Sequence, residues 1–201
     1  MVRKVWFLVM ACLAALAVGT AGVSALETGK KGPDFTLAGT DGKVYGLAAF
    51  KDAKAVVVAF TCNHCPVAQA YEARLIELAK SYKEKGVAVV AISSNDAKAY
   101  PADSFENMMK RAKGKKYPHP YLYDPDQTAA RAYGATVTPH IFLLDGERKL
   151  VYAGAVDDND NARRVKEHWL KDAIDQLLAG KKPQRAATKA RGCSIKWKSK
   201  R

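Results

Sequence analysis

Two cysteines three positions apart, Cys62-Asn63-His64-Cys65, follow directly on a short apolar run, Ala55-Val-Val-Val-Ala-Phe60. Thiols at this spacing can close a small disulfide ring and reopen it by thiol exchange. Helical spacing of apolar residues from Cys65 onward predicts that a helix opens there. A helix N-terminus offers unpaired N–H groups and a positive dipole, which favour a thiolate. The first cysteine, Cys62, is expected to be the nucleophile and the second, Cys65, to resolve the mixed disulfide. His64, as a donor or a cation, would stabilise the Cys62 thiolate, hence the reduced form, and make the disulfide more oxidising.

Two other uses of these cysteines stay open. An inert staple gains little, because so small a ring removes little loop entropy. A zinc site needs four ligands and the chain has no second Cys-x-x-Cys, so His140 or Cys193 would have to complete a zinc or copper site. Thr138-Pro139 precedes the apolar stretch Ile141-Phe-Leu-Leu144. It reads either as an ordinary trans proline or as a cis proline fixing a tight turn at a strand entry.

The elements that must position these residues read as alternating strands and helices. Ala55–Phe60 and Val87–Ile92 are continuous apolar runs, expected for strands buried on both faces. Between them, Cys65 to Lys85 carries Ala68, Leu75, Leu78, Ala79 and Tyr82 at helical spacing, and Gly86 ends it. A helix over Asp103–Lys113, a strand over Tyr121–Tyr123 and a helix over Thr128–Tyr133 follow. Asp145-Gly146 marks a hairpin between Ile141–Leu144 and Lys149–Tyr152. An amphipathic helix over Ala162–Ala179 closes the body. The pattern predicts an α/β sandwich with a mixed central sheet.

The chain has 201 residues, 48% apolar and 26% charged, enough for one independent core and unlike a disordered chain. Four cysteines are too few for a disulfide-stapled small fold. Residues 1–25 combine Arg3 and Lys4, a 14-residue apolar run from Val5 to Val18, and small residues ending at Ala25. They predict a signal peptide cut after Ala25, since a membrane span needs about 20 apolar residues. The mature chain is then periplasmic or otherwise exported, where disulfides persist.

The formal charge is +13, but nine basic residues and no acid lie in Lys181–Arg201, while 26–180 hold 22 basic and 20 acidic residues. Residues 26–180 are therefore read as the domain and 181–201 as a solvated basic tail carrying Cys193. Such a tail offers at most weak contact with an anionic membrane surface, about 1 kcal/mol per basic residue close to it. Trp197 is its one aromatic residue, which argues against nucleic acid as a partner.

Six stretches together resemble the thioredoxin-fold redoxins, specifically the peroxiredoxin-like branch of the alkyl hydroperoxide reductase/thiol-specific antioxidant superfamily. They are Phe60-Thr-Cys-Asn-His-Cys-Pro66, Ala91-Ile-Ser-Ser-Asn-Asp96, Tyr100-Pro-Ala-Asp-Ser-Phe-Glu106, Tyr121-Leu-Tyr-Asp-Pro-Asp126, Tyr133-Gly-Ala-Thr-Val-Thr-Pro139 and Gly192-Cys-Ser-Ile-Lys-Trp197. The resemblance runs from about Gly32 to Trp197. It implies a thioredoxin-like three-layer sandwich, redox-active Cys62 and Cys65, a cis Pro139, and a docking surface for the partner chain at Thr138, Pro139 and His140. No cofactor is expected. The implied partners are protein or small-molecule thiols and disulfides and a redox partner protein.

The function read from these residues is an exported thiol–disulfide oxidoreductase, with two rivals. A thiol peroxidase acting on hydroperoxide would use Cys65, but Val58 and Cys62 stand where peroxiredoxins carry proline and threonine or serine. Arg131 is its candidate cation. A copper carrier would use Cys62, Cys65 and His140, because soft thiolates select Cu(I). The acid that thioredoxins bury six positions before the first cysteine is replaced by Val56. Proton transfer then falls to His64, His140, water or another carboxylate such as Asp96. Cys193 is read as a resolving cysteine reaching back to the site, an intermolecular link or a bystander.

Overall fold

Strand β3 (Ala55–Phe60) lies at the heart of a seven-stranded sheet, and all six of its residues are buried. A computed structural model describes residues 26–199 of the protein. The expected signal peptide lies outside those residues, with its cleavage point at their edge. The other strands of the sheet are β1 (Leu37–Gly39), β2 (Val44–Tyr45), β4 (Val87–Ser93), β5 (Tyr121–Tyr123), β7 (His140–Leu144) and β8 (Leu150–Gly154), in the order β2-β1-β5-β4-β3-β7-β8. Strands β3, β4 and β5 run parallel, while β1, β2, β7 and β8 pair antiparallel. The sheet is therefore mixed, as the sequence predicts.

The period of two along β3 divides the core. Ala55, Val57 and Ala59 face helices α1 (Pro66–Lys83) and α4 (Trp169–Leu178), which contribute Tyr71, Leu75, Leu78, Leu170 and Ile174. Val56, Val58 and Phe60 face the opposite layer, with Tyr133 of α3 (Thr128–Tyr133), Phe142 and Ile195. Helix α2 (Phe105–Lys115) covers Ala91 and Tyr121 through Met108. Burying a valine in this way contributes about 1.5–3 kcal/mol, so β3 is an anchor for whatever follows it.

Two expectations need correction. The long closing helix is short: only Trp169–Leu178 is α-helical, after a 3-10 turn at Ala162–Arg164. The backbone between them bonds instead to the preceding loop, with Lys166 N–H donating to Asp158 Oδ1 and Asp158 N–H to the Glu167 carbonyl.

The C-terminal segment is not a solvated tail up to residue 199. Ala187 bridges Ala153 beside β8, and strand β9 (Cys193–Ser194) pairs antiparallel with β6 (Val137–Thr138). Ile195 is buried in the core, and Arg131 stacks 4.4 Å over the Trp197 ring. Backbone bonds, the side chains of Asn95, Gln127 and Thr188, and the apolar anchor Ile195 hold the segment, while its basic side chains stay largely outside. Among the described residues, no helix is long and apolar enough to cross a membrane.

Candidate active site

The handover from β3 to α1 brings Cys62 and Cys65 into one buried cluster with Ala68, and Cys193 packs against it. The sequence folds this way because Pro66 opens α1 and Cys65 caps it, accepting from Ala68 N–H at 3.4 Å. The Cys65 sulfur lies 2.6 Å from that of Cys193 and 3.3 Å from the Thr138 carbonyl oxygen. The Cys62 sulfur lies 3.2 Å from the Thr138 hydroxyl. All three thiols are reduced. The Thr138–Pro139 bond is cis, and Thr138 lies against both sulfurs of the pair.

The thiolate expected on Cys62 is favoured on Cys65 instead, first through the hydrogen bond between the two thiols, with the helix cap adding the Ala68 N–H. The hydrogen bond from the Cys62 thiol pulls Cys65 down to about 4 against the effect of burial, helped by the Cys193 thiol and Ala68 N–H. Cys62 is pushed up, first because its proton serves that bond, then by burial and by the nearby Asp103 carboxylate. Burial and the contact with Cys65 also push Cys193 up.

The buried acid absent at Val56 comes from elsewhere. Asp103 ends the 3-10 turn Pro101–Asp103 and is wholly buried. Its Oδ1 accepts from the N–H groups of Asn63 (2.7 Å) and His64 (3.1 Å), and its Oδ2 from Asn95 Nδ2 (2.8 Å). The Oδ2 also lies 2.5 Å from His64 Nδ1, and the His64 ring stacks on Tyr100. Asp103 therefore holds both the backbone and the ring of the residues between the cysteines. Asn63 is fixed further by Nδ2 donation to the Ala102 carbonyl and by Tyr121 donating to its Oδ1.

Sequence reading missed Asp103 as a site residue, although it lies in the Tyr100–Glu106 motif. The one sequence signal was an acid in a Pro-led turn just before Ser104, the cap of α2. Asp96 is engaged elsewhere, pairing its backbone with Lys196 and accepting from Lys98 N–H.

The copper set is not brought together as expected. His140 pairs with Phe60 in the sheet, its Nδ1 accepts from Thr136 N–H, and burial pulls its pKa down to about 4. Among the described residues, the group able to offer converging ligands is Cys62, His64 and Asp103, whose ligand atoms lie within 4.8 Å of one another. A nitrogen and an oxygen 2.5 Å apart suit a shared proton better than a tetrahedral metal edge. Arg131, the peroxidase cation by expectation, is exposed and covers Trp197 rather than either sulfur.

A family model described as Redoxin matches residues 27–173. The chain belongs to the Redoxin family. This redoxin is 28% identical over 126 residues to the thiol-disulfide oxidoreductase ResA of Bacillus thuringiensis subsp. konkukian, covering 63% of this chain and 68% of that one. The crystal structure of an uncharacterized conserved protein from Geobacillus kaustophilus superposes with a TM-score of 0.83 at 42% identity, over 88% of this chain and 95% of that one. Peroxidoxin BcpB of Mycobacterium tuberculosis shares the fold, with a TM-score of 0.58 at 21% identity over 77% and 95% of the two chains. The fold is thioredoxin-like. The family match stops at residue 173, before strand β9.

Proposed function

We propose that this redoxin is an exported thiol–disulfide oxidoreductase that exchanges disulfides through Cys62 and Cys65. The observation that carries the reading is the cap at Cys65, whose sulfur accepts from Ala68 N–H and lies 2.6 Å from the Cys193 sulfur, in one buried cluster with Cys62. In the oxidised protein a partner thiolate attacks Cys62, and the Cys62–Cys65 bond breaks. Cys65 departs as the stabilised thiolate, the better leaving group of the two. The resulting mixed disulfide joins Cys62 to the partner. A second partner thiolate attacks the partner's own sulfur, closing its disulfide and releasing Cys62, which takes a proton. The reverse sequence reduces a partner disulfide.

Thr138 lies against both sulfurs, and in this reading Thr138, Pro139 and His140 form the docking surface for the partner chain. His64, positioned by Asp103, tunes the Cys62 thiol. Resemblance to ResA supports this chemistry, and the leader-like residues 1–25 support export.

The test mixes reduced protein separately with a peptide disulfide and with hydrogen peroxide and follows thiol loss by stopped flow. Rapid exchange with the peptide and sluggish oxidation by peroxide are expected. Fast, saturating oxidation through a Cys65 sulfenate would make the protein a peroxidase and overturn the proposal. Export is tested by comparing the N-terminus of the cell-fractionated protein with Leu26.

A further inference from the structure

We propose that the C-terminal strand is an internal substrate of this site, with Cys193 as a third redox thiol, so that the oxidised protein interconverts between Cys62–Cys65 and Cys65–Cys193 disulfides. The inference rests on the exchange chemistry proposed above and names a partner for it within the chain.

Strand β9 lies antiparallel on β6 with Cys193 opposite Thr138 and Ser194 opposite Val137. An extended chain that adds to a strand edge and presents one side chain to a pocket is a general mode of peptide recognition. Here the edge is the residue pair before Pro139, the pocket holds the Cys-x-x-Cys, and the side chain presented is a cysteine. The Cys193 and Cys65 sulfurs are 2.6 Å apart, about half an ångström beyond a disulfide bond of roughly 2.05 Å. Cys65 therefore has a thiol on each side: Cys62 along its own turn, and Cys193 from a strand 128 residues away.

Contacts independent of the sulfurs fix this register. Gly192 passes so close to Thr138 that a Cβ there would lie 2.0 Å from the Thr138 carbonyl oxygen. Ile195 N–H donates to the Thr136 carbonyl, and Lys196 N–H donates to Asn95 Oδ1. The Lys196 carbonyl accepts from Asp96 N–H and Gln127 Nε2, and Lys198 N–H donates to Gln127 Oε1. A segment held at this many points presents Cys193 as a tethered reactant rather than a diffusing one.

The exchange is balanced within the protein. Cys193 gives up its proton and attacks Cys65 in the Cys62–Cys65 ring; the Cys65–Cys193 bond forms as the ring bond breaks, and Cys62 leaves and takes up the proton. No net electrons move. The product is a latched form, with β9 covalently held on the docking edge and Cys62 free. An incoming chain must then displace β9 or reach Cys62 from outside it.

The test equilibrates the full-length protein with glutathione disulfide, quenches with acid, and maps disulfides in an unreduced tryptic digest. Peptide 55–74 carries both Cys62 and Cys65, and peptide 192–196 carries Cys193. Wild type is expected to give the internal ring and the cross-linked pair within about tenfold of each other. Cys62→Ser is expected to give the cross-link alone. Cys193→Ser is expected to abolish the cross-link and to speed reduction of the oxidised protein by an added peptide dithiol about tenfold, as an unlatched edge becomes available. A wild type that forms only the ring, together with a Cys62→Ser variant that stays glutathionylated at Cys65, overturns this inference and leaves the exchange function intact. A wild type that forms neither disulfide overturns both. The wild-type map carries the decision if Cys62→Ser does not fold.

Discussion

His64 Nδ1 lies 2.5 Å from Asp103 Oδ2, so a carboxylate 39 residues away orients the ring between the two cysteines. The same carboxylate accepts from the backbone of Asn63 and His64 and from Asn95. Replacing Asp103 with alanine orphans several buried donors at once, and each costs about 1–3 kcal/mol. Urea unfolding of reduced Asp103→Ala should show a loss of several kcal/mol. Asp103→Asn keeps part of the acceptor set and should be milder, while lowering the Cys62 pKa by removing the negative charge that raises it.

The low pKa of Cys65 predicts a fingerprint in the reduction potential. With one sulfur already ionised, reduction takes up one proton per two electrons, and the midpoint should fall about 30 mV per pH unit between pH 5 and 8. A dithiol with two ordinary thiols would fall about 59 mV per unit. Thiolate absorbance of the reduced protein should titrate near pH 4, vanish in Cys65→Ser, and move upward in Cys62→Ser, which loses the strongest donor. A slope near 59 mV would refute the thiolate assignment.

His140 makes stability depend on mild acid. Burial holds its folded pKa at about 4, below the ordinary histidine value near 6.5. Between these two the unfolded chain binds a proton that the folded one does not, so stability falls as pH drops from 6.5 towards 4. The contribution is on the order of 2–3 kcal/mol across that window. His140→Phe should flatten this part of the pH–stability curve, measured by denaturant unfolding.

Gly192→Ala tests the docking of β9. Its Cβ would meet the Thr138 carbonyl, so either the strand lifts or the site shifts, at about 1–3 kcal/mol. Amide hydrogen exchange at Ile195 and Lys196 should speed by tenfold or more, with protection in β3 unchanged. Unchanged exchange at both amides would mean that the close approach at residue 192 is not what holds the strand.

Much of the fold was legible because its strongest signals are periodic. Ala55–Phe60 and Thr128–Tyr133 are observed over the predicted residues, and α1 buries Ala68, Leu75, Leu78, Ala79 and Tyr82 as the spacing requires. Strands β1 and β2 are too short, at three and two residues, to show a period. The docking of residues 187–198 was illegible for a different reason. It is made by backbone groups and by Asn95 and Gln127, while the side chains that catch the eye in that stretch are lysines and arginines facing solvent. At the site, the cysteine pair announces itself by spacing and the helix start at Cys65 by periodicity, but the approach of Cys193 to Cys65 exists only in the fold. Asp103 reaches the site only through the topology that sets α2 beside β5.

The 128 residues between Cys65 and Cys193 also order events during synthesis. Strand β3 and helix α1 emerge early, while β9 appears only after β7, β8 and α4 have been made. Until then the young chain carries its reactive pair with an unoccupied edge and no third sulfur beside it. Covering of the pair by β9 thus comes after the rest of the described fold has been made, and a stall or proteolytic cut before Cys193 leaves that edge unoccupied.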